Sequence, residues 1–181
     1  MSAYHFNSSG EPDNRFLSDD EWLEVCDEWP VLLEWLKRPR RISYDYDIPF
    51  LGGISTNGAC VFIDRRYKPI LSWRNHRGSV TMDSSLTIPD HEITEYYAIR
   101  FIGLHYDPEN PKRSAHVLGN TAERLAVQAC GCDWDEYNYA IDHQLQPIEM
   151  ENVTKCPRDL CLYPYQESKS LLAKIQAAQH A

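Results

Sequence analysis

Nowhere in the chain do eighteen apolar residues run together, and its start, MSAYHFNSSGEPDN, lacks a basic stretch followed by an apolar one. The first absence argues against a membrane-spanning helix and the second against a secretory leader, so a soluble, cytoplasmic protein with no membrane partner is expected. Bases are scarce too. The chain carries 18 Lys and Arg against 27 Asp and Glu, a net charge of −9 that repels polyphosphate and speaks against a nucleic-acid partner. The six cysteines have no export signal beside them and read as thiols rather than as a disulfide framework. What is present is an ordinary globular mixture, 43% hydrophobic and 25% charged, which excludes wholesale disorder, collagen and coiled-coil readings. A length of 181 residues leaves room for one domain with a real core.

Residues 1–17 mix Ser, Gly, Pro, Asn and Asp and have little to bury, so a mobile arm is expected ahead of a single domain over 18–181. Ser18 and Glu21 have the spacing of a capping box, and Trp22, Leu23, Cys26 and Trp29 recur behind them at helical intervals. Pro30 suits the first turn of a second helical segment. From residue 42 the pattern alternates. The segments ISYDYDIPF, GGISTNG and ACVFIDRR, punctuated by Gly52-Gly53 and Asn57-Gly58, predict an antiparallel β-meander, with further strands at Ile70–Trp73 and Ser79–Met82. Helices then take over: about 89–103, with Asp90 near its start and Gly103 at its end; from Pro111, capped by Asn110, to about Cys130; one capped by Asp133; and one over 167–179. The fold class is therefore α+β, a β-meander packed on a helical layer.

The chemistry concentrates on two of these helices. In His91-Glu92-Ile93-Thr94-Glu95, His91 and Glu95 are four apart and project from one face. On the next helix His116 and Glu123 are seven apart, nearly two full turns, and share a face as well. A short loop between the two helices would pack them antiparallel and bring His91, Glu95, His116 and Glu123 towards one point. A zinc-like divalent cation takes imidazole nitrogen and carboxylate oxygen at about 2 Å, and a catalytic site keeps one position for water. Glu92 is placed to take the proton of such a water. Glu123 is either a fourth ligand, which would close the site, or a partner that orients His116.

In the His-Glu-x-x-His helix of metallopeptidases two histidines stand four apart with the base between them; here Glu95 replaces the second histidine. HEITE on a helix that follows β-structure, with a second ligand-bearing helix after it, resembles the gluzincin layout with one His and one Glu exchanged between helices. IPFLGGISTNGACVFIDRR, HEITEYYAIRFIGLHY, SAHVLGNTAERLAV and CPRDLCLYPY together resemble uncharacterised zincin-like proteins of phage and bacterial genomes, over roughly residues 47–165. The resemblance implies a metal site between two helices, with zinc as the first choice of cation; Glu92 beside that site makes metal-assisted hydrolysis of a peptide or amide bond the expected activity. An extended peptide would lie along the strand near Ser79–Met82, in the host cytoplasm if the protein is phage-encoded. Carboxylate in place of imidazole moves the metal preference towards harder ions.

Four other readings compete. The same residues can be polar positions on helix surfaces, or an internal His–Glu hydrogen-bond network. The chain can also be a non-enzymatic, phage-type accessory module that binds another protein through its acidic surface and exposed aromatics, with a structural metal or none. Cys130, Cys132, Cys156 and Cys161 offer a four-thiolate zinc site, but only one residue separates the first two. His105 reads as a loop residue, and Tyr96 and Tyr97 as core aromatics.

Overall fold

The computed structural model describes residues 14–49, 51–107, 109–145, 153–165 and 169–180. In chain order its elements are helices α1 (Asp19–Glu28) and α2 (Val31–Leu36), strands β1 (Arg41–Ser43), β2 (Gly52–Ile54), β3 (Cys60–Ile63), β4 (Ile70–Asn75) and β5 (Gly78–Asp83), and helices α3 (Ile88–Tyr97), α4 (Ala115–Ala129), α5 (Trp134–Leu145) and α6 (Lys169–His180). Helix and strand make two small sheets packed on helices, an α+β arrangement. The described chain divides into two compact units, one of residues 40–68 with those from 142 onward, the other of residues 14–39 with 69–141. No described helix is long and apolar enough to cross a membrane.

In the first unit, residues 41–63 do not form the expected meander. β2 and β3 do pair antiparallel across the Asn57-Gly58 turn, where Gly58 takes a φ of 71°. β1, however, pairs parallel to β3, so that the strand order is β1-β3-β2. All four residues of β3 are buried, and a strand so enclosed needs a ladder on each edge. Among the described residues β1 supplies the second one. The core of this unit joins Ile48, Phe62 and Leu160 to Leu171 and Ile175 of α6.

The second unit follows the sequence more closely. Ser18 Oγ accepts from the Glu21 amide at 3.3 Å while Glu21 Oε2 accepts from the Ser18 amide at 3.0 Å, so the capping box starts α1 as expected. Asp133 Oδ1 likewise accepts from the Glu136 amide at the start of α5. α3 continues as a π-helical turn over Ala98–Ile102 and stops at Gly103, which has a φ of 78°. α4 begins later than expected, since Pro111 opens a 3-10 turn over Pro111–Arg113 and Ser114 takes the cap position. β4 and β5 form a hairpin, tied to α5 by Glu136 Oε2, which accepts from Trp73 Nε1 at 2.9 Å and Asn75 Nδ2 at 2.8 Å.

The arm expected over 1–17 is corrected at its end; residues 1–13 lie outside the described residues. Leu17 is fully buried and its amide donates to Thr121 Oγ1 at 2.9 Å, while Asn120 Nδ2 donates to the Arg15 carbonyl at 3.0 Å. Polar side chains of α4 thus satisfy the backbone that Leu17 carries into the core with Trp22, Val25 and Leu118.

Candidate metal centre

α3 and α4 pack along one another, and the chemistry-bearing side chains lie on the faces that meet. His91 Nε2 is 3.5 Å from Glu95 Oε2, one turn on, and His116 Nδ1 is 4.0 Å from Glu95 Oε1. The two imidazoles stand edge to face with their centroids 5.1 Å apart. Taking one donor atom from each of His91, Glu95 and His116, all three lie within 4.8 Å of one another. Among the described residues these three are the group able to hold a metal ion. Donors about 2 Å from a tetrahedral ion stand about 3.3 Å apart, so the His91–Glu95 pair already has the spacing and His116 needs a small closure.

Glu123, one of the four proposed ligands, is not in this group. It serves His91 instead of His116, the partner expected for it: Oε2 is 3.1 Å from His91 Nδ1. Its other oxygen accepts from the Tyr137 hydroxyl at 2.6 Å. With Nδ1 engaged, the nitrogen that His91 turns to Glu95 is Nε2. A carboxylate behind a ligating imidazole fixes the ring and its tautomer.

The electrostatics are those of a crowded acidic pair of helices. Burial by itself would lower the pKa of His91, but hydrogen bonds and charge from Glu123 and Glu95 hold it well above the usual imidazole value. Glu92 is partly buried and has no hydrogen bond or ion pair among the described residues. Burial pushes its carboxyl up to about 8; the charge of His91 opposes this, and those of Glu95 and Glu123 add to it. Thr94, between Glu92 and Glu95, keeps its hydroxyl buried with no partner among the described residues.

Two participants were not singled out from the sequence. Gly119 lies on α4 between His116 and Glu123, and a Cβ there would stand 3.0–3.1 Å from the Nε2, Cδ2 and Cε1 atoms of His91. The imidazole therefore rests against the bare backbone of α4. A glycine inside a strong helix pattern, costing about 1 kcal/mol against alanine, was the available signal. Tyr137, 46 residues along from His91, gave none beyond its place on the apolar face of α5.

No family model, curated protein or solved structure matches the chain. The functional reading rests on the geometry of α3 and α4.

The competing features sort themselves out. All six cysteines are free thiols; Cys130 and Cys132 lie in one unit, Cys156 and Cys161 in the other. Cys156 donates to the Asp47 carbonyl, and burial pushes its thiol up to about 11, the reverse of what a thiolate ligand needs. The His105 carbonyl accepts from the Ala115 amide and pins the loop to the start of α4. Tyr96 and Tyr97 are buried against Trp35 and Phe101.

Proposed function

We propose that this chain is a zincin-like metal-dependent hydrolase of peptide or amide bonds, with zinc the first choice among divalent cations. The supporting observation is the convergence of the His91, Glu95 and His116 donors within 4.8 Å on two packed helices. Two imidazoles and one carboxylate are a donor set that zinc accepts while retaining an open position. A bound zinc ion supplies Lewis acidity, polarising an amide carbonyl and making water a usable nucleophile near neutral pH.

The rest is the work of the chain's own side chains. Glu92 follows His91 directly and has no competing hydrogen bond among the described residues, so its carboxylate is available to accept a proton from water and hand it to the departing amine. Burial raises the Glu92 carboxyl to about 8, and with a cation held beside it the same carboxyl would lose its proton more readily and be ionised for that step. Glu123 holds His91 from behind. β5, over Gly78–Asp83, pairs on one edge with β4 and offers its other edge to an extended peptide, by analogy with zincin-like folds.

A second reading has an observation of its own. His91, bracketed by Glu123 at 3.1 Å and Glu95 at 3.5 Å, is a self-sufficient imidazolium clamp, which suits a protein-binding module with a structural metal or none.

Metal analysis by mass spectrometry on untagged protein separates the two. Zinc near one equivalent in wild type, and its loss in His91→Ala and His116→Ala, is expected; equal metal content in all three removes the proposal. Glu92→Gln should keep the zinc and lower cleavage of a fluorogenic peptide library by about 100-fold or more. Unchanged cleavage in that variant would leave Glu92 without its role.

A further inference from the structure

A chain of hydrogen bonds runs out of the metal centre on the side away from the cation position. Tyr137 is fully buried, and its hydroxyl is 2.6 Å from Glu123 Oε1 and 2.7 Å from Thr87 Oγ1. The single proton of the phenol goes to the carboxylate, because a charged acceptor at that distance gives the stronger bond. The Tyr137 oxygen is then an acceptor, and the Thr87 hydroxyl donates to it in preference to the Ser84 carbonyl, which stands farther off at 3.1 Å. Thr87, Tyr137 and Glu123 Oε1 are thereby polarised in one direction, and Glu123 Oε2 is left to accept from His91 Nδ1.

We infer that Tyr137 is a positioning residue of the metal centre: its hydroxyl ties down one oxygen of Glu123, so that the other locks His91 with Nε2 free for the cation and Glu123 stays out of the ligand set. The inference rests on reading the α3–α4 pair as a metal centre. It settles a choice on which catalysis depends. A Glu123 free to turn would no longer fix the ring and tautomer of His91, whereas a tethered Glu123 keeps Nε2 presented and leaves three ligands and an open position. α5 can exert such control because it is itself anchored. Glu136, next to Tyr137, is held by Trp73 and Asn75 of the β4–β5 hairpin, and Trp134 stacks on the Tyr137 ring with centroids 5.8 Å apart.

The test is a double-mutant cycle on zinc affinity, measured by chelator competition in wild type, Tyr137→Phe, Glu123→Ala and the double variant. Each single change should weaken zinc binding by about 10-fold. Adding Tyr137→Phe to Glu123→Ala should then change it by less than about 2-fold, because Tyr137 acts through Glu123. A merely structural tyrosine would weaken zinc binding equally in both backgrounds, and that result overturns the inference, as does wild-type affinity in Tyr137→Phe. Wild type that binds no zinc at all overturns the metal centre together with this inference, an outcome distinct from the other two. Should the phenylalanine variant not fold, long-range nitrogen–proton spectra of zinc-loaded wild type decide. His91 protonated on Nδ1 and ligated through Nε2 is expected; ligation through Nδ1 overturns the inference.

Discussion

Both units of this protein bury carboxylates, and they neutralise them by different means. In the unit of residues 40–68, Asp47 is 1% exposed and receives the Thr154 amide and hydroxyl, the Lys155 amide and the Arg65 guanidinium. Asp64, 0% exposed, receives the Ile48 and Arg66 amides and the Arg66 guanidinium. Each acid there meets a fixed positive charge and backbone donors, the arrangement of a closed structural network. In the other unit Glu95 and Glu123 bracket an imidazole, and burial raises the carboxyl of Glu92 beside them to about 8. Imidazole can give up its proton and guanidinium cannot, so only the second arrangement can exchange a proton for a cation.

The largest expected effect tests the structural side of this contrast. Asp47→Asn leaves the Thr154 and Lys155 amides facing a poorer acceptor and should cost about 2–4 kcal/mol in denaturant unfolding, with zinc affinity unchanged. A loss below about 0.5 kcal/mol would mean that Asp47 is no more essential than a surface acid.

The pH dependence should then carry opposite signs in the two regions. Hydrogen bonds from Thr154 and Arg65 outweigh burial and lower the pKa of Asp47, so its contribution is present above the ordinary carboxylate range and is lost on acidification. His91 and Glu92 are both raised, so the fold binds their protons more tightly than the unfolded chain does. Their contribution is complete below about pH 4.5 and disappears as pH rises, for Glu92 through about 8. Metal-free protein should accordingly lose about 1–2 kcal/mol between pH 5 and 9, a loss that Glu92→Gln reduces. Zinc affinity should rise over the same interval, about tenfold per pH unit for each proton displaced. Thermal melts with and without chelator check both; a metal-free protein that gains stability towards pH 9 contradicts the account.

Gly119→Ala gives the smallest effect and the sharpest local test. In an ordinary helix interior this change stabilises by about 1 kcal/mol. Here the new Cβ meets an imidazole at 3.0–3.1 Å that Glu95 and Glu123 hold in place. The expected result is no gain in melting temperature and zinc binding weaker by about 10-fold. Stabilisation with unchanged zinc affinity would show that the ring yields easily.

The features legible in the sequence were those written within a few residues. Ser18 with Glu21, Asp133 with Glu136, Gly103 after its helix and the Asn57-Gly58 turn all act locally, through capping bonds or a positive φ. The i, i+4 pair of His91 and Glu95 belongs with them, because helix geometry alone puts both on one face. The parallel ladder between β1 and β3 was not legible, since local alternation marks a strand without naming its neighbour. The docking of Leu17 was hidden by its polar surroundings in sequence; its partners Thr121 and Arg124 lie about a hundred residues on.

By itself the sequence determined which segments are helical, several of their caps and which metal-ligand types share a helical face, because each depends on the repeat or the ends of a single element. Only the tertiary structure decided that Glu123 stands behind His91 rather than beside His116, that Gly119 gives the ring its seat, and that Tyr137 ties Glu123 down. Those assignments turn on differences of an ångström between side chains from three separate helices, and such distances arise from packing rather than from periodicity.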